Sequence, residues 1–221
     1  MTVLAVIPAY DEERHVGDVV RRSQKYVDAV IVIDDGSRDR TYEEAKAAGA
    51  IVVRLVTNMG VGFATRTGCD IAINEGADII VTLDADSQHD PEVILMLIDK
   101  IKNGYDFVLA SRMINAKGMP LSKQMGNKFI TSCCHLFFGS RLSDTQTGFR
   151  AFTKDAYLNM DLECDGYEIC SEFAYEIAKN NLRYCEVPIE ARYDEWTKVK
   201  GTNISTGIKI FFKIIWLRLK K

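Results

Sequence analysis

Short, continuous apolar runs alternate with longer amphipathic stretches through the first half of the chain. The runs are rich in Val, Ile and Leu and predict buried strands at residues 3–8, 29–34, 51–55, 78–83 and 107–110. The intervening stretches have apolar residues at helical spacing and predict helices at 12–25, 39–48, 61–75 and 91–102. Because the strands are uninterrupted in hydrophobicity and alternate with helices, we expect an α/β fold with a mainly parallel sheet covered on both faces.

The second half of the chain is less regular. It predicts helices at 119–138 and 167–180, an extended segment at 149–152 and a further strand at 183–188. No internal repeat, low-complexity stretch or linker is evident. We therefore expect one large domain over residues 1–198, followed by a C-terminal helix over 199–221.

Composition narrows the class of protein. The chain has 221 residues with a formal net charge of −3, which gives no general case for nucleic-acid binding. Its six cysteines form no C-x-x-C pair, which is typical of reduced thiols in a cytosolic protein. No run reaches the roughly 18 apolar residues that span a bilayer, and the first strand begins too early for a signal peptide. A soluble or peripherally attached protein is expected.

Acidic clusters follow three of the predicted strands. They are Pro-Ala-Tyr-Asp-Glu at 8–12, Asp-Asp-Gly-Ser at 34–37 and Asp-Ala-Asp-Ser-Gln-His at 84–89. Ligands of parallel sheets bind at the carboxyl ends of the strands, so the three clusters are expected to converge. Ser37, Asp39 or Asp90 could each cap a helix instead. Capping needs only one side chain per helix, however, and the set therefore favours a functional site.

Asp84 and Asp86 form the pattern with the most specific chemistry. Mg²⁺ and Mn²⁺ are commonly bound by one or two carboxylates together with substrate phosphates. A cation held there would stabilise the charge on a departing diphosphate, as a nucleotide-sugar donor requires. An isolated Asp-x-Asp is weak evidence, but this one follows a buried strand and lies beside two other acidic clusters.

Gly60-Val-Gly62 precedes a predicted helix, as the glycines of a dinucleotide-binding motif do. The third glycine of that motif is missing, and the segment follows the third strand and not the first. We interpret it as a glycine turn that lets the chain pass close to the site.

The order of these motifs resembles that of family 2 glycosyltransferases with the GT-A fold, over about residues 3–198. The shared segments are PAYDE, DDGS, NMGVG, DADSQH, ASR and DTQTGFR. Within the family, the likeness is to dolichyl- or polyprenyl-phosphate sugar synthases of the dolichyl-phosphate mannose synthase type. The resemblance implies a Rossmann-like sheet and an inverting transfer from GDP-mannose or a UDP-sugar to a polyprenyl or dolichyl phosphate, with Mg²⁺ or Mn²⁺.

The resemblance also implies roles for individual residues. Donor-binding positions are Pro8, Tyr10, Glu12, Ile33, Asp35, Asp84, Ala85, Asp86 and Lys198. The metal positions are Asp84, Asp86 and Gln88, the acceptor-phosphate positions are Arg112 and Lys123, and the catalytic set is Asp84, Asp86, Asp144 and Arg112. Two alternatives stay open: Tyr10 as a buried core residue and Arg112 as a surface ion-pair residue. The family often has a small residue before Lys198, where this chain has Trp196 and Thr197.

The acceptor poses a chemical choice. A hydroxyl acceptor needs a general base, whereas a phosphomonoester, with a second pKa near about 6, is already largely dianionic and needs cations to orient it. Hydroxyl-using relatives often have an acidic residue near the position of Asp144, so Asp144 as a base is the alternative. Arg112, Lys123 and Lys128 favour the phosphate.

The C-terminal segment is basic. Residues 196–221 include seven Lys or Arg and no acidic residue. Apolar residues recur at helical spacing, at Ile204, Ile208, Phe211, Phe212, Ile215, Trp216 and Leu219. Such a helix suits an anionic membrane surface, although it could pack on the protein's own core or on a second copy. A location in the cytoplasm, at the cytoplasmic face of the membrane, follows from the membrane interpretation.

Two other protein classes are open. A nucleotide-sugar-binding module without turnover would need the same pocket, but the intact carboxylate set argues against it. A sugar nucleotidyltransferase shares the architecture but has a glycine-rich, basic loop after its first strand, whereas residues 9–14 here are acidic.

Overall fold

The computed structural model describes residues 1–116, 119–190 and 204–219. The strands in these ranges are β1 Val3–Ala9, β2 Ala29–Asp34, β3 Ile51–Arg54, β4 Ile79–Thr82, β5 Phe107–Ser111, β6 Arg150–Thr153 and β7 Tyr184–Pro188. The helices are α1 Val16–Ser23, α2 Thr41–Ala47, α3 Val61–Asn74, α4 Val93–Lys102, α5 Leu121–Phe138, α6 Lys154–Leu158, α7 Ile169–Lys179 and α8 Ile204–Leu219. Every element predicted from the sequence has a counterpart here, and of the described elements only the short helix α6 was not predicted.

The strands form one seven-stranded sheet in the order β3-β2-β1-β4-β6-β5-β7. All neighbours are parallel except β6, which is antiparallel to both β4 and β5. The predicted α/β fold with a mainly parallel sheet is therefore confirmed. The order reverses between β1 and β4, and this switch point opens a crevice at the carboxyl ends of the strands, where the loops after β1 and β4 emerge.

Helices cover both faces of the sheet. Alternate residues of β1 point to opposite sides: Ile7 belongs to the hydrophobic cluster that includes residues of α1, α2 and α4, whereas Val6 belongs to the cluster that includes residues of α3, α5, α7 and α8. Because both faces are buried, the central strands are apolar at every position, which explains the continuous runs in the sequence.

The helix predicted at 12–25 begins later, at Val16. Glu12 O accepts hydrogen bonds from His15 N and Val16 N, and Asp11 has a φ of 51°. Residues 11–15 are consequently a turn at the sheet edge, beside the loop that follows β2.

Helix α8 is more closely joined to the fold than the predicted membrane stripe suggested. Ile210, Ile214 and Leu217 are buried against α5 and α7, and none of the three belonged to the predicted stripe. The predicted residues Ile208, Phe212, Trp216 and Leu219 lie on the opposite, exposed side. Packing on the protein's own core is therefore confirmed for one face of the helix, and the membrane interpretation of the exposed face stays a prediction. Among the described residues, no helix is long and apolar enough to cross a membrane.

Candidate active site

The loops that follow β1 and β2 interlock at the crevice. Asp11 N donates to Ser37 Oγ at 3.0 Å, and Arg38 N donates back to Asp11 Oδ1 at 2.8 Å. Glu12 N donates to Thr41 Oγ1 at 2.8 Å. A cavity of about 310 Å³ opens beside these bonds and is lined by residues 11–15 with Arg38 and Asp39. Two of the three predicted acidic clusters thus build one wall of the site.

The predicted donor-binding residues differ in exposure. Tyr10 is 38% exposed, so the alternative of a buried core tyrosine is wrong. Pro8 is half-buried at the end of β1, and Glu12 is buried beside the cavity. The side chains of Ile33 and Ala85 are buried in the hydrophobic core, so neither side chain faces solvent.

Asp35 fastens the glycine turn. Its Oδ1 accepts from Met59 N at 2.7 Å and its Oδ2 from Gly60 N at 2.9 Å. Burial, together with the neighbouring Asp34, raises the pKa of Asp35 despite these two bonds. The carboxylate therefore has a structural duty in addition to any contact with a donor.

The glycines of the turn allow two backbones to touch. A Cβ added at Gly60 would lie 2.4 Å from Asp165 O, and one at Gly62 would lie 2.3 Å from Cys164 O. Gly62 N and Phe63 N both donate to Asp165 O, at 2.6 and 3.1 Å. These amides at the start of α3 are occupied by protein, so they do not hold a pyrophosphate as a dinucleotide motif would. The prediction of a close-approach turn fits this arrangement.

Asp84 and Asp86 stand at the end of β4, where β1 and β4 diverge. The pKa of Asp84 is lowered, because His89, Arg112 and Arg150 together outweigh the opposing effect of its burial. The pKa of Asp86 is raised, by burial and by the negative charge of Asp84. Two carboxylates this close repel each other, and a bound cation would relieve that repulsion.

The ligand atoms available fit a hard divalent cation. Both carboxylates are partly exposed, and Gln88, whose N donates to Asp86 Oδ1 at 3.0 Å, lies in the same loop. Within the described residues, no cluster of three or more His, Cys, Asp or Glu could hold a metal by itself. Few protein ligands, all of them oxygens, suit Mg²⁺ or Mn²⁺ whose remaining positions are filled by phosphates.

Asp144 is fully buried and saturated with donors. Arg112 N and Nε donate to its Oδ2 at 3.1 and 2.8 Å. Its Oδ1 accepts from Arg112 Nη2 at 3.0 Å, Asn127 Nδ2 at 2.9 Å and Gln146 N at 3.1 Å. Burial would raise the pKa of Asp144, but Arg112 and Asn127 hold it below its usual value. Asp144 is an anchor that joins the end of β5 to α5.

Arg112 and Lys123, the predicted acceptor-phosphate residues, lie close enough to Asp84 and Asp86 to interact with them electrostatically. Arg112 is only 14% exposed and forms a bidentate pair with Asp144, so it is an ion-pair residue, but a buried one and not the surface pair considered above. Lys123 is half-buried, which lowers its pKa, and it interacts electrostatically with Asp86 and Arg112. The fold therefore brings both cations to the predicted metal site. Lys198, with Trp196 and Thr197, lies outside the described residues.

Three residues of the site had no role in the sequence analysis. His89 and Gly148 are within the quoted motifs and contact Asp84. Tyr167 has no motif: desolvation of its phenol and the charges of Asp84, Asp86 and Glu12 raise its pKa, so the phenol lies near these carboxylates although the residue is 47% exposed. No spacing rule pairs residue 167 with residue 84, because the packing of 164–166 on the glycine turn sets its position.

Comparison with known proteins shows the family of the chain. The sequence model named "Glycosyl transferase family 2" matches residues 4–161. A UDP-N-acetylglucosamine–dolichyl-phosphate N-acetylglucosaminyltransferase of Methanococcus voltae is 38% identical over 99% of this chain and 97% of its own length. A dolichol-phosphate mannosyltransferase of Pyrococcus furiosus is 28% identical over 97% of this chain and 64% of its own length.

Solved structures support the same fold. Glucosyl-3-phosphoglycerate synthase from Mycobacterium tuberculosis, in complex with uridine-diphosphate, superposes with a TM-score of 0.77 and 18% identity, over 99% of this chain and 79% of that protein. The same enzyme has been solved with Mn²⁺, uridine-diphosphate and glucosyl-3-phosphoglycerate, and that structure gives a TM-score of 0.75. At this identity the likeness concerns the fold alone.

Proposed function

The chain belongs to glycosyl transferase family 2, and we propose that it moves a sugar, with inversion, from a nucleotide-diphosphate sugar to a polyprenyl or dolichyl phosphate. The names of the Methanococcus voltae and Pyrococcus furiosus relatives both contain such an acceptor. The more similar of the two uses UDP-N-acetylglucosamine by name, which makes a UDP-sugar the first donor to test.

One observation supports a phosphate acceptor over a hydroxyl: Asp144 has no capacity left for base catalysis. The carboxylate is fully buried, accepts five hydrogen bonds and has a lowered pKa. A general base must reach the proton that it removes and must bind it. An acceptor phosphate needs neither property, because it is already ionised at neutral pH. The alternative with a glycan or protein hydroxyl and Asp144 as base is disfavoured on this ground.

In the proposed reaction the two sides of the site have separate duties. Asp84, Asp86 and Gln88 would hold Mg²⁺ or Mn²⁺, which when bound supplies Lewis-acid stabilisation to the departing nucleoside diphosphate. Arg112 and Lys123 orient the acceptor phosphate. One oxygen of the acceptor phosphate attacks the anomeric carbon as the bond from that carbon to the diphosphate breaks. The configuration of the anomeric carbon is thereby inverted. No proton has to be removed from the acceptor.

A donor screen tests the nucleotide half of the proposal. With Mn²⁺ present, one nucleotide class, expected to be the UDP-sugars, should raise the melting temperature of the protein. At about 100 times the Kd the gain is about 2.7 kcal/mol, or roughly 5–10 °C for a chain of this size. The measurement is differential scanning fluorimetry with UDP-sugars, GDP-sugars and CDP-sugars in parallel. An equal absence of response to every nucleotide would contradict a nucleotide-sugar donor.

We further propose that α5 and α8 together rest on the membrane that contains the acceptor. An exposed apolar row runs along each helix: Leu121, Met125 and Phe129 on α5, and Ile208, Phe212 and Trp216 on α8. The rings of Phe129 and Phe211 are 6.0 Å apart, so the two helices are neighbours. Lys128 and Lys209 are exposed on the same helices. Apolar rows with interspersed cations suit the headgroup layer of an anionic membrane, and Lys123, in the first turn of α5, links this surface to the acceptor side.

Vesicle binding tests this surface. Phe212→Asp combined with Trp216→Asp should abolish co-sedimentation with vesicles that contain about 30% anionic lipid. Each substitution replaces an apolar contact with the lipid by a negative charge that the membrane repels. Leu95→Asp is the matched control, because Leu95 is similarly exposed but lies on α4, which covers the opposite face of the sheet. Equal vesicle binding by the double variant and the control would contradict the proposed surface.

A further inference from the structure

The imidazole of His89 is enclosed directly behind the Asp84 carboxylate. Its side chain is 3% exposed, and its ring stands 5.6 Å from the ring of Phe149, which is itself fully buried. Neither Nδ1 nor Nε2 has a hydrogen-bond partner among the residues that the structure describes. Leaving a buried polar group unsatisfied costs about 1–3 kcal/mol. An apolar residue would therefore fill the same space with less loss of stability.

The ring points one nitrogen at the carboxylate. Nε2 lies 3.7 Å from Asp84 Oδ2, just beyond hydrogen-bond distance, so a small rotation of either side chain completes the bond. Contacts of this kind are often long in unliganded sites and tighten when the ligand is present.

Asp84 is confined on its other side by Gly148. A Cβ at residue 148 would lie 2.2 Å from Asp84 Oδ1, so only a glycine leaves room for the carboxylate. Gly148 is itself fixed, because its carbonyl accepts from Thr82 Oγ1, on the strand that precedes Asp84, at 2.8 Å. A wall on one side and a ring nitrogen on the other restrict the carboxylate to a narrow range of orientations.

From this geometry we propose that His89 is a positioning residue: its Nε2–H donates to Asp84 and fixes the orientation in which Asp84 receives the divalent cation. The inference rests on the proposed function, because it concerns the same cation site. Groups that orient a metal ligand in this way typically account for about 10–100-fold in metal affinity. His89 touches neither the donor nor the acceptor in this arrangement and acts only through Asp84.

Two substitutions separate positioning from packing. His89→Phe keeps a ring against Phe149 but removes the donor. His89→Gln keeps an N–H donor near the position of Nε2 but removes the ring. Positioning predicts that the Phe variant binds Mn²⁺ about 10–100-fold more weakly and that the Gln variant recovers most of the affinity. If His89 only packs against Phe149, the Phe variant should melt at a higher temperature than the Gln variant. Neither variant should then change the affinity for Mn²⁺.

The measurement is the Kd for Mn²⁺ in the presence of saturating UDP or GDP, followed by electron paramagnetic resonance, with melting temperatures recorded alongside. His135→Phe is the control, since His135 lies on α5 and its ring nitrogen is hydrogen-bonded to Leu142 O, at 2.6 Å. Unchanged Mn²⁺ affinity in His89→Phe, or an equal loss in His135→Phe, overturns the positioning role alone. Absence of Mn²⁺ binding by the unsubstituted protein with either nucleotide would instead overturn the metal site of the proposed function, and this inference with it.

Discussion

Replacing Asp144 with asparagine is expected to lower the free energy of unfolding by about 3–5 kcal/mol, because it leaves the buried Arg112 guanidinium without its counter-charge. For a chain of this size that loss corresponds to a fall in melting temperature of roughly 10 °C. The sign of the pH dependence follows from the lowered pKa of Asp144. Its stabilisation is complete above the unfolded value of about 3.9 and is lost as the pH falls through the folded value. Thermal denaturation between pH 3 and pH 8 should therefore show a constant gap between the two proteins that begins to narrow only below about pH 4.

The same substitution distinguishes the two acceptor hypotheses. If Asp144 is an anchor, activity falls because Arg112 is misplaced, and the loss is similar at every pH at which the protein stays folded. If Asp144 is a base, kcat falls while the melting temperature is kept, and the acidic limb of the pH profile disappears. The amount of activity lost does not discriminate, since a misplaced Arg112 also reduces turnover, so the pH profile is the informative measurement.

Asp106→Asn is the matched control for this prediction. Asp106 pairs with Arg183 through Nε at 3.2 Å and Nη2 at 3.0 Å, so the geometry of the pair is similar, but the Arg183 side chain is 70% exposed. Exposed pairs contribute about 0–1 kcal/mol, so this variant should melt close to the unsubstituted protein. Equal destabilisation by the two substitutions would contradict the anchoring role of Asp144.

Asp86→Asn is expected to reduce transfer activity at least about 100-fold while leaving the fold intact, because it removes one of two carboxylates from the cation site. Without metal the variant should melt at or above the temperature of the unsubstituted protein. The raised pKa of Asp86 means that its charged form is disfavoured in the folded state at neutral pH, and the amide removes that penalty. Activity and melting temperature measured on the same preparation test both statements.

Glu92→Gln provides the comparison for Asp86→Asn. Glu92 is an exposed residue at the start of α4, close to the same loop in sequence, and should tolerate the loss of its charge. Full metal-dependent activity in Asp86→Asn, or the same loss in Glu92→Gln, would contradict the assignment of Asp86 to the cation site.

The central part of the fold was predictable because the signals that define its strands lie within short stretches of sequence. Strands β1, β2 and β4 are buried on both faces, so their sequences are continuously apolar and their polar neighbours mark the ends. The convergence of the three acidic clusters followed from the parallel arrangement of those strands alone.

The antiparallel strand β6 was not predictable in the same way. Its four residues read only as an extended segment, and its position between β4 and β5 depends on pairings with residues about 40–75 positions earlier. The hydrogen bonds around Asp144 were unpredictable for the same reason, since they join residues that are distant in sequence: Arg112 after β5, Asn127 on α5 and Gln146 in the loop before β6. The family resemblance implied roles for Asp144 and Arg112, but only the structure shows that they bind each other.

Helix α8 illustrates a third limit. Its apolar residues cover most of its circumference, so periodicity alone did not say which face packs on the protein. Four residues of the predicted stripe are exposed and Phe211 packs partly on the core, and the burial of Ile210, Ile214 and Leu217 became visible only with α5 and α7 in place. His89 and Tyr167 were missed for a related reason, because a single histidine or tyrosine has no pattern until its neighbours are known.

The most direct test of the account is transfer itself. The purified protein is incubated with Mn²⁺, radiolabelled UDP- or GDP-sugar, and either polyprenyl phosphate or the matching polyprenol without phosphate. The account predicts that label enters the organic phase with the phosphate and not with the alcohol, and that the product has the mass of a sugar linked to the lipid phosphate. Label transferred to the polyprenol, or none transferred to polyprenyl phosphate with any donor, would contradict it.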